Sequence, residues 1–301
     1  MRILILGGGG QVGAELRRHR WPAGVSVDAP TRAELDLTEE AAVEARIAAG
    51  GYAAAINAAA YTAVDKAETD VAAAWRLNAL APAILAAATT RAGIPLVHVS
   101  TDYVFDGQAS RPYEAEDPVA PLGVYGASKE GGEQAVRTAN PRHAILRTAW
   151  VVSPHRANFV KTMLRLAAER PLLRVVDDQW GNPTVAADLA AALATVALRL
   201  AGDAAAPAGT FHFANRGDVT WAGFAREIMA QSAARGGPSV PVEGIATADY
   251  PTPARRPANS RLSTARLSAA YGIEPRPWRE ALGELLDELI GPERATQGAH
   301  A

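Results

Sequence analysis

Gly7-Gly8-Gly9-Gly10-Gln11-Val12-Gly13 stands directly behind the apolar residues 3–6 and ahead of a stretch patterned as a helix. Strand, glycines, then helix is the context that a dinucleotide fingerprint requires. The run satisfies the motif as Gly8-x-Gly10-x-x-Gly13 and also in the spacing Gly7-x-x-Gly10-x-x-Gly13. Glycines here let the chain turn tightly and let backbone N–H groups approach a pyrophosphate at the positive end of the next helix. The competing reading, a glycine-rich turn that binds nothing, is disfavoured by its position after a strand at residue 7.

Outward from this turn, short apolar runs alternate with longer alanine-rich stretches, the rhythm of parallel strands joined by crossover helices. Strands are expected at 2–7, 25–29, 54–57, 96–100 and 144–151, and helices at 11–19, 39–49, 71–92 and 125–139. The expected fold class is α/β: a Rossmann-like doubly wound parallel sheet over residues 1–152, with some later segments returning to it. From about 153 to 290 the pattern is less regular and richer in proline, arginine and tryptophan. Residues 175–176 and 211–214 read as strands, and 156–169, 186–200, 221–234 and 278–290 as helices. This part is expected to form a smaller C-terminal α/β substrate lobe. Residues 291–301 are small and polar and are expected to fray.

Composition narrows the function. A chain of 301 residues with 49% hydrophobic and 21% charged residues can bury a large core. A formal net charge of −2 and a pI near 6.3 supply no field to gather nucleic acid, so no nucleic-acid partner is expected. The absence of cysteine excludes thiol nucleophiles and thiolate metal sites, and no metal site is expected. The apolar stretch before the glycines is too short for a signal sequence, so a cytoplasmic protein with no membrane partner is expected.

Tyr125-Gly126-Ala127-Ser128-Lys129 sets a phenol and an ammonium four residues apart, on one face of the expected helix. A neighbouring ammonium favours the phenolate, and so is expected to lower the pKa of Tyr125 toward useful acid–base chemistry. Such a pair is more often a surface contact, and its placement decides. Ser100-Thr101 closes an expected strand, and open α/β sheets bind ligands at the carboxyl ends of their strands. A hydroxyl there can hold a substrate carbonyl while the phenol protonates it. Asp28, at the end of the second strand, favours NADH if it accepts from the adenosine ribose. Arg32 nearby favours NADPH if it neutralises the extra phosphate, and the residues leave the two readings open. Arg255, Arg256 and Arg261 read either as forks for a diphosphate or as surface charge. Trp150 reads either as a platform for a sugar or base or as a core aromatic, and Trp180 more readily as a core aromatic. His98, inside an apolar strand, reads as a satisfied buried histidine rather than a catalyst.

Several stretches together resemble the extended short-chain dehydrogenases and, within them, the dTDP-4-dehydrorhamnose reductase family. They are GGGGQVG at 7–13, INAAAYTAVDKAE at 56–68, STDYVFDG at 100–107, VYGASKEGGE at 124–133, LRTAWV at 146–151, NFVKTMLRLA at 158–167, DQWGNPT at 178–184 and YPTPARRPANSRL at 250–262. The resemblance implies hydride transfer from NADPH, with NADH possible, to C4 of dTDP-4-dehydro-6-deoxy-L-mannose. It implies cofactor contacts from Gly7, Gly10, Gln11, Val12 and Gly13 at the pyrophosphate, Asp36 and Leu37 at the adenine, and Ala60, Tyr61 and Thr62 at the ribose. Tyr125 would donate the proton with Lys129 as helper, while Thr101 and Asp102 would meet the sugar of the dTDP-sugar and Trp150 would pack against it. Of the arginines read as diphosphate forks, Arg256 and Arg261 are expected to bind the substrate.

Two departures from the family pattern stand out. Tyr61 replaces a usual histidine. Glu15 matches one ligand of a magnesium-bridged dimer, but Ala187 stands where a second carboxylate is expected, so a monomer or weak homodimer is expected. Sugar-nucleotide dehydratases need an Asp–Glu pair after the threonine, and Tyr103 takes the second place. Another sugar-nucleotide reductase or an epimerase stays open, as does a non-catalytic NADP-binding regulatory subunit of methionine adenosyltransferase type.

Overall fold

Ile3 and Ile5 alternate with Leu4 and Leu6 along the first strand and all four are buried, so this strand requires cover on both faces. The computed structural model, which describes residues 1–291, supplies it. Six parallel strands lie in the order Ser26–Asp28, Arg2–Leu6, Ala54–Asn57, Leu96–Thr101, His143–Thr148 and Gly209–His212. Ile3 and Ile5 pack with Leu16 and with Leu189 and Leu193 of helix Ala186–Gly202. Leu4 and Leu6 pack on the other face with Val43, Leu85 and Val136. The chain leaves Arg2–Leu6 first to one side and then to the other, which opens a crevice beyond its carboxyl end.

Helix Ala186–Gly202 and strand Gly209–His212 pack on this sheet although they follow much of the second lobe in sequence. A second core lies under helices Phe159–Glu169, Trp221–Ala233 and Trp278–Ile290 and the paired strands Leu173–Val176 and Val242–Ile245, around the edge-to-face rings of Phe224 and Trp278.

The elements depart from the expected ones in three places that matter to the site. The strand expected over 144–151 ends at Thr148 and resumes as Val151–Val152, because Trp150 takes a left-handed conformation with φ +48. The helix expected over 71–92 is interrupted by a π-turn, Arg76–Leu80. The helix expected from 156 starts at Phe159, where Asn158 caps it by accepting from Lys161 N, and Arg156 just before the cap stands at φ +58. Strand Val242–Ile245 and helix Ala265–Tyr271 were not anticipated. The run Val71–Arg91 is long and apolar enough to cross a bilayer by composition alone, yet it packs against helices Glu40–Ala49 and Val124–Ala139. Of the tail expected to fray, residues 292–301 lie outside the described residues.

Candidate active site

The glycine turn divides into packing and binding positions. Gly7 stands at φ +81, and a Cβ on it would lie 2.5 Å from Ala59 N; one on Gly13 would lie 2.1 Å from the Gly7 carbonyl oxygen. Both glycines therefore let backbone pack on backbone, and Gly13 sits behind the wall of the cleft. Gly7, Gly10, Gln11 and Val12 line that cleft, which has a volume of about 1000 Å³. Helix Gln11–Arg18 begins at Gly10 with no side chain capping it, so its first N–H groups are available to an anion. The Gln11 amide is already committed. Its Oε1 accepts from Ser153 Oγ at 2.9 Å and Asn158 Nδ2 at 3.0 Å, which ties the turn to the second lobe.

At the far end the cleft is walled by Thr31, Arg32, Asp36 and Leu37, with Arg17 beside them. Asp28 is not there. Its carboxylate accepts from Arg2, Arg46 and Tyr52 at the edge of the sheet. Burial works to raise its pKa, but these partners outweigh it and hold the carboxyl below the usual range. The reading of Asp28 as a ribose acceptor is therefore corrected, since its lone pairs are engaged away from the cleft. Asp36 accepts from Thr38 N at 3.0 Å and Thr38 Oγ1 at 2.8 Å, which lowers its pKa. Ala60, Tyr61 and Thr62 line the middle of the cleft, and the Tyr61 hydroxyl reaches Asp70 at 3.1 Å.

Thr101, Asp102, Tyr125 and Lys129 meet at the carboxyl end of strand Leu96–Thr101. The Thr101 hydroxyl donates to Asp102 Oδ1 at 2.9 Å, accepts from Tyr103 N at 3.2 Å and stands beside the Tyr125 phenol. Burial pushes the phenol well above the ordinary tyrosine value, with the Thr101 hydroxyl opposing and Asp102 and Tyr103 adding to the rise. The expected lowering by Lys129 is not met: the lysine turns to Val99 O at 2.7 Å. Burial brings Lys129 itself down to about 8, against the pull of Glu133. Burial also raises Asp102 to about 6, and its Oδ2 has no hydrogen-bond partner among the described residues.

The arginines expected to meet the substrate stand outside this cleft. Arg256 donates to the Tyr103 hydroxyl at 2.9 Å and to Asp65 Oδ2 at 2.8 Å, joining the two lobes. Arg261 donates to Asn259 Oδ1 at 2.7 Å and Ser110 O at 2.7 Å and pairs with Asp218. Neither is the free fork that was expected: protein acceptors take two of the five N–H groups of Arg256 and three of those of Arg261. Trp150 does line the cleft, with its ring stacked on Trp221 at a centroid distance of 3.5 Å. Trp180 is 46% exposed rather than a core aromatic.

Sequence reasoning missed the residues that position the pair. Glu68 Oε1 accepts from Val124 N at 2.9 Å and so caps the helix that carries Tyr125. Asn78, in the π-turn, accepts from Tyr61 N at 2.8 Å and donates to Tyr61 O and to Ser128 Oγ, fastening the loop of residues 60–62 to that helix. Its placement depends on Gly132, where a Cβ would lie 2.1 Å from Asn78 O. The Gly131-Gly132 pair was the one visible signal of this close approach.

The fold and this site define an NAD(P)-binding oxidoreductase of the short-chain dehydrogenase type. Residues 1–290 match the family model of the RmlD substrate binding domain. The chain is 41% identical to a dTDP-4-dehydrorhamnose reductase of Sinorhizobium fredii, over 96% of this chain and 98% of that one. The solved reductase of Clostridium acetobutylicum is 38% identical, with a TM-score of 0.90 over 96% of this chain and 99% of that one. A Bacillus anthracis reductase solved in complex with NADP is 33% identical, with a TM-score of 0.88 over 95% and 99% of the two chains. The chain belongs to the dTDP-4-dehydrorhamnose reductase family.

Proposed function

We propose that this protein reduces the C4 ketone of dTDP-4-dehydro-6-deoxy-L-mannose to give dTDP-L-rhamnose, using NADPH. The observation that carries the reading is that Tyr125, Lys129 and Thr101 converge in the same cleft that the glycine turn opens. The residues fit the cofactor: uncapped N–H groups at Gln11–Gly13 for the pyrophosphate, Asp36 and Leu37 for the adenine, and Ala60, Tyr61, Thr62 and Lys129 for the ribose. Arg17 and Arg32 at the adenosine end, with Asp28 turned away, favour NADPH over NADH. When bound, the reduced nicotinamide supplies the hydride.

Tyr125 then acts as an acid. Its raised pKa keeps the phenol protonated across the physiological range, and an alkoxide forming at C4 is more basic than any phenolate, so the proton moves downhill. Thr101 stands beside the phenol, its hydroxyl turning from Asp102 to donate to the sugar oxygen when substrate enters, and Trp150 lines the wall that the sugar meets. The first lobe serves the cofactor and the second the sugar nucleotide. A dehydratase would need a carboxylate where Tyr103 stands, and that hydroxyl is bound by Arg256.

The protein acts as a monomer or weak homodimer in the cytoplasm. Glu15 is buried beside Arg18 and His155, at 3.5 and 3.2 Å, which leaves it poorly placed to share a metal with a second copy. The test is NADPH oxidation with the dTDP-, UDP- and GDP-linked 4-keto sugars offered in parallel. Turnover restricted to the dTDP-sugar, with rhamnose as product, is expected. Cofactor binding without turnover would favour the regulatory-subunit reading instead.

A further inference from the structure

We propose that His98 sets the charge of Lys129: its Nε2–H donates to the lysine nitrogen whenever that nitrogen is an uncharged amine, holding Lys129 ready to release a proton. His98 lies on strand Leu96–Thr101 with no exposure to solvent. Its Nδ1 is 3.1 Å from Asn57 Nδ2. The Asn57 amide is oriented by its own oxygen, which accepts from Ala59 N at 3.1 Å. The NH2 group of Asn57 therefore faces the ring, Nδ1 must be bare to accept from it, and a neutral imidazole with a bare Nδ1 carries its proton on Nε2. Burial, with Lys129 nearby, holds His98 well below the usual histidine range, so the ring is neutral.

Nε2 in turn lies 3.4 Å from Lys129 Nζ. An ammonium has only donors, so a charged Lys129 presents N–H to N–H there and keeps one good partner, Val99 O. An amine has a lone pair to accept the imidazole proton, so this contact favours the uncharged lysine. The other titratable groups around Lys129 are Glu133 and Tyr125 on its own helix, and Asp102 and Tyr103 beyond the strand end. Glu133 favours the charged form, but Arg147 and Arg137 already neutralise it.

The catalytic use of this arrangement rests on the reductase reading above. Once Tyr125 has given its proton to the sugar oxygen, the phenolate recovers one from Lys129 through water in the cleft that both residues line. An O–H bond forms, an N–H bond breaks, and the amine left behind accepts from His98. Water in the cleft returns the proton. His98 touches neither substrate nor cofactor in this scheme and is a positioning residue.

Two-bond ¹H–¹⁵N spectra of the full-length protein without ligands report which ring nitrogen of His98 is protonated. Protonated Nε2 is expected; a proton on Nδ1 overturns the proposal, even in an active reductase. In the same protein, the ¹³Cε resonance of Lys129 followed against pH is expected to titrate about one pH unit higher in His98→Phe. An unchanged or lower midpoint overturns it. If His98→Phe fails to fold, the tautomer in the parent protein still decides. Conversely, protonated Nε2 in a protein that reduces no sugar nucleotide sinks the reductase reading and leaves the tautomer assignment standing.

Discussion

Arg147 meets Glu133, on the helix that carries Tyr125 and Lys129, out of solvent, Nε to Oε1 at 2.9 Å and Nη2 to Oε2 at 2.7 Å. The same carboxylate accepts from Ser100 Oγ at 2.5 Å and Arg137 Nη1 at 2.8 Å. Ser100 precedes Thr101, so one buried network locks the strand end to the catalytic helix. Burial works to raise Glu133, but Arg147, Ser100 and Arg137 outweigh it and keep the carboxyl below the usual range.

Glu133→Gln is expected to cost about 3 kcal/mol in denaturant unfolding, because it strands the buried Arg147 charge without its counter-ion. The depressed folded pKa makes the ion network's contribution present above the unfolded glutamate pKa, fading as pH falls through the folded value. A loss below about 1 kcal/mol at neutral pH would show that solvent already screens the pair.

Asp102 carries the opposite sign. Its folded pKa of about 6 lies above the ordinary aspartate value of 3.8, so its contribution is fully present below the unfolded pKa and is lost as pH rises through about 6. Above that, the buried carboxylate costs on the order of 3 kcal/mol. Asp102→Asn is accordingly expected to be more stable than the parent at pH 8, with the gain shrinking at pH 5, while turnover falls because the Thr101 hydroxyl loses its charged acceptor. Equal stability at both pH values, measured by urea unfolding, would contradict this.

Arg256 reaches the site through Tyr103, whose ring meets that of Tyr125 edge to face at 5.5 Å. Arg256→Ala is expected to lower kcat about tenfold with little change in KM, since it loosens the wall behind the phenol rather than a substrate contact. Its pair with Asp65 is partly exposed, so the stability cost should stay within about 1 kcal/mol. A raised KM with kcat intact would restore the diphosphate reading.

Cofactor choice is tested by Arg17→Ala and Arg32→Ala. Each is expected to weaken NADPH binding about tenfold while sparing NADH, through loss of a cation at the adenosine end. Equal weakening of both cofactors in a binding titration would move these arginines away from the extra phosphate.

The sequence exposed those parts of the site that use local geometry. The glycine turn, the Tyr125/Lys129 spacing and the strand-end Thr101 each follow from one element's periodicity, and all three line one cleft. Asp28, Arg256 and Arg261 were misjudged because a charged side chain in sequence gives no hint of the partner that will claim it. Those partners, Arg46, Tyr103 and Ser110, come from other elements. Asn78 and Glu133 were hidden for the same reason, lying on helices whose apolar patterning explains them without a role. The direction of the Tyr125 shift was misjudged because spacing reports neighbours but not burial, and here burial is the larger effect.

That shift yields the final prediction. Because the phenol stays protonated far above neutrality, the alkaline limb of the turnover profile should report Lys129, falling as pH rises through about 8 and the ammonium gives up its charge. Tyr125→Phe is expected to retain cofactor affinity and lose roughly 10²–10⁴-fold in kcat, the usual worth of a positioned acid. Lys129→Met should instead weaken cofactor binding, slow turnover and abolish that limb. The two variants thus separate the donor of the proton from the group that replaces it. Full activity in Tyr125→Phe would mean that another acid, with the buried Asp102 the nearest candidate, protonates the sugar oxygen.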